Sequence, residues 1–305
     1  MVHLGRVVVV GSYNAGLTIV GDRLPELGQT VLGHTFDMGP GGKGSNQAIG
    51  ARRLDAEVTL VANVGHDVFG DAAIHTFERE GLLGAGIRVV DEHTGVAFIL
   101  VDESGNNMIS VAPGANGSLQ SADLDSVPGL FDRVSHLLCQ PECPVELFVG
   151  AAQRARAAGV TTILNPAPAR PLPPAALPLI DILTPNETEL RALARVEGSD
   201  DDSIDEAGRN LIALGIDHVI VTLGHRGVRW VSSRGVEFFP ARRVVARDTT
   251  GAGDAFNAGL VTALAAGASV PEAIDLGMRA GAFCATRLGV IDGLPTRVQL
   301  DEEIP

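Results

Sequence analysis

Short, unbroken apolar runs separated by stretches of helical composition restrict the fold of this chain more than any other feature. Val7–Val10 ends in Gly11, and comparable runs stand at Val58–Val61, Leu137–Leu138, Thr161–Leu164, Ile180–Leu183 and His218–Leu223. A strand with apolar residues at successive positions has to be buried on both faces. Between these runs, Gly44–Leu54, Ala72–Glu80, Val145–Ala158, Glu187–Glu197, Ser203–Leu214 and Asp254–Ala266 have the composition of helices. Strand and helix alternating in this way predicts an α/β fold, a mostly parallel sheet with helices on both faces.

One part of the chain departs from that rhythm. Val96–Asp102 and Met108–Ala112 are strand-like, and the turn Glu103-Ser104-Gly105-Asn106-Asn107 joins them as a β-hairpin. Leu17–Gly21 and Thr30–Phe36 also look extended and stand apart from any helix. These pieces predict a small antiparallel sheet, built from segments at about 13–38 and 95–112, that covers a site at the ends of the main strands. The remainder reads as one α/β unit over residues 1–305.

The totals exclude several classes of function. Apolar residues make up 45% of the 305 and charged residues 20%, enough for a packed core. No run approaches the roughly 18 uninterrupted apolar residues of a membrane span. Met1–Arg6 leads into the first strand without the series of a secretory signal, so the expected location is the cytoplasm. Cys139, Cys143 and Cys284 cannot all pair with one another and read as small buried side chains. The net charge of −14 opposes nucleic-acid binding. An anionic ligand would need local N–H groups, helix ends and metal ions to hold it.

Four motifs carry possible chemistry. In Asp248-Thr249-Thr250-Gly251-Ala252-Gly253-Asp254, which opens a helix, the glycines leave N–H groups free at a positive helix end. Asp254 could take a proton from an attacking hydroxyl there; taken alone, the pattern is more simply a tight turn with an N-cap. Gly39-Pro40-Gly41-Gly42-Lys43-Gly44-Ser45-Asn46 superficially suggests a phosphate loop, but Gly44 stands where Ser or Thr should follow the lysine. Its glycines suit either the close approach of a neutral polyol, with Lys43 and Asn46 bonding to it, or an ordinary turn. Asn186 and Glu189 lie on one face of a helix start and serve either as a capping box or as orienting groups for magnesium waters. Thr222-Leu223-Gly224 ends a strand where a nucleotide could touch. Gly11-Ser12-Tyr13-Asn14 lacks the glycine spacing of a dinucleotide fold.

In this order and spacing the motifs resemble the ribokinase family of carbohydrate kinases. The likeness runs from Gly11-Ser12-Tyr13-Asn14 to about Pro295. It is carried by Gly41–Ala48, by Asp248–Asp254 with Ala255-Phe256-Asn257, and by Asn165-Pro166-Ala167-Pro168-Ala169 and Thr184–Glu189. The resemblance implies a Rossmann-like domain with a β lid, often dimeric through the lid, that transfers phosphoryl from ATP to a sugar. By matching position Asp254 would be the catalytic base, and the N–H groups of Gly251, Ala252 and Gly253 the anion hole. Asn14, Gly42, Lys43, Asn46 and Glu142 would hold the sugar, and Thr222 and Gly224 would lie near the nucleotide. Asn186 and Glu189 would serve Mg2+ through water. Asp248, Thr250, Cys284, Arg287, Gly289 and Gly293 would surround K+, mostly through carbonyl oxygens.

One position departs from the family pattern. Gly16 stands where ribokinases usually carry an Asp that grips two sugar hydroxyls, and such a charged bond is worth roughly 1.5–3 kcal/mol. D-ribose leads the candidate substrates, followed by another pentose, a deoxy-pentose, a ketose or a nucleoside. A non-catalytic sugar or nucleotide sensor is the reading from another class, and an intact Asp254 argues against it.

Overall fold

The computed structural model describes residues 5–198 and 200–304. Met1–Leu4, part of the segment read above for a leader, lie outside the described residues. The strands are β1 (Arg6–Val10), β2 (Asn14–Gly21), β3 (Gly33–Gly41), β4 (Glu57–Gly65), β5 (Ile87–Val90), β6 (Gly95–Val101) and β7 (Asn107–Ala112), then β8 (Val134–Cys139), β9 (Thr161–Leu164), β10 (Ile182–Leu183), β11 (His218–Thr222), β12 (Gly227–Ser232) and β13 (Gly235–Pro240). The helices are α1 (Lys43–Arg53), α2 (Val68–Arg79), the single turn α3 (Ala115–Ser118), α4 (Val145–Ala157) and α5 (Glu187–Ala194). They continue with α6 (Asp201–Ala213), α7 (Ala252–Ala265), α8 (Val270–Ala285), α9 (Val290–Gly293) and α10 (Arg297–Glu303).

The main sheet has nine strands in the order β13-β12-β11-β10-β9-β8-β1-β4-β5. Its pairs from β11 to β5 are parallel, and the β12–β13 hairpin adds an antiparallel edge. β1 shows why its sequence is continuously apolar. Val7 and Val9 join a core cluster with Ile49, Phe256 and Ile274, whereas Val8 and Val10 join a second one with Phe148 and Leu211 on the other face. The helix-covered parallel sheet expected from the sequence is therefore present.

The second sheet has four strands in the order β3-β2-β6-β7. β2–β3 and β6–β7 pair antiparallel, and β2 and β6 join the two pairs in parallel. The strand expected over Thr30–Phe36 runs instead as Gly33–Gly41 and carries the chain directly into α1.

Helix ends follow local chemistry. α2 starts earlier than its Ala-rich composition suggests because the Asp67 carboxylate accepts from the N–H groups of Phe69 and Gly70, at 3.1 and 2.8 Å. α5 stops at Ala194 because Arg195 takes the left-handed conformation, φ 54°. α8 and the β12–β13 hairpin were not anticipated, although Ser269 and Glu272 form a capping box at the start of α8.

Two contacts fix α1, the helix that leaves the glycine-rich motif. A Cβ on Gly50 would come 2.7 Å from the Ala258 Cβ, so only glycine lets α1 approach α7 this closely. Arg53, at the other end of α1, forms a bidentate pair with Glu80, at 2.9 and 2.8 Å. It also donates to the carbonyls of Ile291 and Leu294, at 2.6 and 2.9 Å. The hydrogen bonds from Arg53 hold the Glu80 carboxyl below its ordinary value.

Replacing Arg53 with Met is expected to lower stability by roughly 3 kcal/mol, because Glu80 and two carbonyls lose their partner. Arg79, 3.6 Å from Glu80, limits the loss. A depressed carboxylate stabilises the fold above its unfolded value and loses that effect as pH falls through its folded value. The gap between the urea midpoints of parent and variant should therefore narrow below the ordinary carboxylate range, leaving the share that comes from the two carbonyls. A gap that stays constant with pH would remove Glu80 as the cause.

Candidate active site

Polar residues stand at the carboxyl ends of the central parallel strands. Gln140, Asn165 and Thr184 directly follow the last residues of β8, β9 and β10, and all three are buried. β1 and β8 are neighbours from which the chain winds outward in opposite directions, the place where α/β sheets open a crevice. A cleft of about 230 Å³ lies there, and its walls bring together Lys43, Asn186, Glu189, Thr222, Gly251, Gly253 and Asp254.

Asp254 sits in the first turn of α7 and is 6% exposed. It does not cap the helix; Gly251 does, with φ 81°. Each carboxylate oxygen accepts a side-chain amide from α1, Oδ2 from Asn46 at 2.8 Å and Oδ1 from Gln47 at 2.9 Å. Asn46 Oδ1 is buried without a partner, an acceptor left available beside the carboxylate. Of the three N–H groups expected in the anion hole, Ala252 donates to Thr249 O at 3.2 Å. Gly251 and Gly253 have no backbone acceptor for theirs among the described residues.

Lys43 begins α1. Asp254 nearby raises the pKa of its ammonium group, burial opposes that, and Glu142 and Glu189 add to the rise. Glu142 accepts from the Lys43 N–H at 2.8 Å and from the Ser12 hydroxyl, tying the start of α1 to the end of β1. Gly42 has φ 90°, and a Cβ there would lie 2.7 Å from Asn14 N. A Cβ on Gly44 would lie 2.4 Å from Ser12 N. Much of the glycine motif thus serves backbone packing of the chain on itself. Asn14 is buried and accepts from Asn116 Nδ2 at 2.9 Å.

Asn186 and Glu189 form a reciprocal capping box, Glu189 N–H to Asn186 Oδ1 at 2.9 Å and Asn186 N–H to Glu189 Oε2 at 2.8 Å. They nevertheless line the cleft, so the cap and the ligand-facing position coincide. Burial raises the Glu189 carboxyl; the Asn186 N–H and Lys43 pull against this, while Asp254 reinforces it. Thr222 bridges to Asn186 at the end of β11. Gly224 lies in the following turn and does not line the cleft.

A second knot lies beside the α7 N-terminus. The Asp248 carboxylate accepts from the N–H groups of Thr250 and Gly289, at 2.9 and 3.1 Å. The Cys284 thiol approaches Thr250 O at 3.6 Å, and a Cβ on Gly293 would lie 3.4 Å from Cys284 O. Five of the six residues expected around potassium are thus assembled. The Arg287 side chain turns elsewhere, over the Phe283 ring and to Glu303, which leaves only its carbonyl for a cation. Cys139, Cys143 and Cys284 are free and buried, and burial raises all three thiols.

Reading motifs took Gln47, Asn165, Thr184 and Asn257 only as parts of signatures, without a role in the site, and missed Gln140. Gln47 accepts from Gln140 at 2.7 Å and donates to Asn165 at 3.0 Å. Asn165 donates to Thr184 O at 3.0 Å, the Thr184 hydroxyl donates to Asn257 at 2.6 Å, and Asn257 donates to Gly253 O at 2.9 Å. The available signal was a polar residue placed directly after each apolar strand.

The chain matches the pfkB family of carbohydrate kinases over residues 5–297, and it belongs to that family. It is accordingly an ATP-dependent sugar kinase. A ribokinase from Haemophilus influenzae is 40% identical over 291 residues, 95% of each chain. A deoxyribokinase from Salmonella typhi is 32% identical over 97% of each chain. Among solved structures, Arabidopsis thaliana ribokinase complexed with ribose and ATP superposes with a TM-score of 0.89 at 30% identity, covering 98% of each chain.

Proposed function

We propose that the chain transfers the γ-phosphoryl group of ATP to the primary hydroxymethyl of D-ribose, giving ribose 5-phosphate and ADP. The observation that carries this reading is the Asp254 carboxylate, held by two amides beside free N–H groups at a helix N-terminus. The sugar hydroxyl gives its proton to Asp254 as its oxygen bonds to phosphorus and the bond to the ADP oxygen breaks. Gly251 and Gly253 meet the charge that develops on the transferring phosphoryl, aided by the helix dipole. Lys43 supplies a fixed positive charge, and Asn46 Oδ1 can accept a sugar hydroxyl. The relatives named for ribose, one of them complexed with ribose and ATP, support the substrate.

The donor chemistry fits the two cations. Asn186 and Glu189 are oxygen donors already bonded to each other, which suits Mg2+ held through water. Asp248 with the carbonyls of Thr250, Cys284, Arg287, Gly289 and Gly293 suits K+. Bound there, the cations neutralise phosphate charge that the acidic residues of this cleft would otherwise repel. The free, buried cysteines suit a reducing cytoplasm, and no helix among the described residues is long and apolar enough to cross a membrane.

A 2-deoxy-pentose is the second reading, favoured by Gly16. That residue pairs with Gly39 and Ala97 across the four-stranded sheet, and a Cβ on it would meet only Gly39 O, at 3.4 Å. No side chain in this row can grip adjacent ring hydroxyls. The deoxyribokinase relative supports the same reading.

The four-stranded sheet serves as the lid of a single kinase unit and as its dimer surface. Phe36, Met38, Phe98 and Met108 are 52–64% exposed, and cross-strand register sets them on one face. Face-to-face pairing of two copies would bury them.

Three measurements test these proposals. ADP release is expected with ribose or 2-deoxyribose ahead of hexoses and nucleosides, and Asp254→Asn should cut kcat by about 100-fold or more; near-parent turnover in that variant removes Asp254 as the base. Potassium should raise the rate above that in sodium, and equal rates would refute the cation knot. In sedimentation, the parent should run at twice the 31.6 kDa chain mass and Phe98→Asp as a monomer. A monomeric parent would rule out pairing through the lid.

A further inference from the structure

The mechanism above leaves one fully buried amide unused. Gln47 is 0% exposed, and both N–H bonds of its Nε2 are committed, to Asp254 Oδ1 at 2.9 Å and to Asn165 Oδ1 at 3.0 Å. Its Oε1 accepts from Gln140 Nε2 at 2.7 Å. No donor of this side chain remains for a substrate. We infer that Gln47 is a positioning residue for the Asp254 carboxylate, held in one orientation by a relay of amides anchored on backbone carbonyls. The inference rests on the reading of Asp254 as proton acceptor.

The orientation follows from donor and acceptor counting. Thr184 O can only accept, so Asn165 must present its Nδ2 there, at 3.0 Å, and its Oδ1 necessarily faces Gln47. Gln47 must then answer with Nε2, whose second N–H falls on Asp254. Turning the Gln47 amide over would set its oxygen against both Asn165 Oδ1 and the Asp254 carboxylate, and its NH2 against the Gln140 donor. Only one state is free of conflict.

A branch of the same relay reaches the other half of the chemistry. The Thr184 hydroxyl donates to Asn257, and Asn257 Nδ2 donates to Gly253 O at 2.9 Å. The turn that offers its N–H groups to phosphate is therefore tied to the network that aims the base. Asn46 holds the second carboxylate oxygen but keeps an unpaired acceptor, which separates its role from that of Gln47. A carboxylate that loses one of its two amide partners can rotate, and misplacement of about 1 Å can cost roughly 100-fold in rate.

The test is steady-state kinetics of Gln47→Met, Gln140→Met, Asp254→Asn and the Gln47→Met/Asp254→Asn pair, with ribose or 2-deoxyribose and ATP. Gln47→Met should lower kcat by about 10- to 100-fold while both KM values stay within about threefold. Gln140→Met, which never touches Asp254, should lower kcat by about 3- to 10-fold in the same pattern. With Asp254 already replaced, Gln47→Met should cost nothing more, because its effect passes through that carboxylate. Should Gln47→Met not fold, Gln140→Met decides alone, and a kcat within about twofold of the parent overturns the proposal. A raised sugar KM at unchanged kcat also overturns it, by making Gln47 a sugar ligand, as does a full additive loss in the Asp254→Asn background. If Asp254→Asn keeps near-parent turnover, the base reading itself fails. If that variant is inactive while Gln47→Met is fully active, only the positioning role fails.

Discussion

The contact between the Asp254 carboxylate and the two amides of α1 organises the structure around it. It joins residues 208 and 207 positions apart, bringing opposite ends of the chain to one point. A buried carboxylate without partners is costly, and hydrogen bonds to a charged group are worth roughly 1.5–3 kcal/mol each. Asn46 and Gln47 lie one helical turn before Gly50, and Asp254 lies one turn before Ala258. The close approach at Gly50 and Ala258 therefore sets the spacing at which the amides meet the carboxylate. The same docking fixes where α1 begins, hence Lys43, and where α7 begins, hence the free N–H groups.

Electrostatics explains why the cleft is built from neutral donors. The chain carries a net charge of −14, and Asp254, Glu189 and Glu142 act together on the single ammonium of Lys43. An arginine or second lysine beside Asp254 would neutralise the group proposed to take a proton. Amides hold the carboxylate in place without forming an ion pair. On the proposed reading, they leave the phosphate charge to helix-end N–H groups and to cations. Burial raises the Glu189 carboxyl and makes it a group that gains from a nearby cation.

The main sheet was legible in the sequence because its central strands carry short apolar runs that are buried. The Asp248–Asp254 and Gly39–Asn46 motifs were legible because glycines cluster in each just before a helix. Their use was less so: Gly42 and Gly44 read equally as room for a ligand or as an ordinary turn, and their missing side chains accommodate the backbone of Asn14 and Ser12. α8 went unread although its capping box was present and Glu272, Asp275 and Arg279 recur at helical spacing. The Gln47–Asp254 bond had no local signature, since only the folded sheet brings residues so distant in sequence together. The polar residues after β8, β9 and β10 were visible as breaks in apolar runs, but a break by itself does not say what it bonds to.

Chemistry and substrate choice reside in different parts of this molecule. Asp254, the amides that hold it and the Gly251–Gly253 turn, the proposed base and anion hole, are anchored in the two helix-covered cores, where most changes disturb packing as well as function. Gly16, Gly39 and Ala97 lie instead on the four-stranded sheet, whose β3 and β7 are largely exposed. On the proposed reading, substitutions there would change what contacts the sugar ring without moving Asp254, because no member of the relay comes from that sheet. A family with this arrangement can hold its phosphoryl-transfer geometry constant while its acceptor varies. Relatives named for ribose and for deoxyribose, at similar identity to this chain, fit such a division.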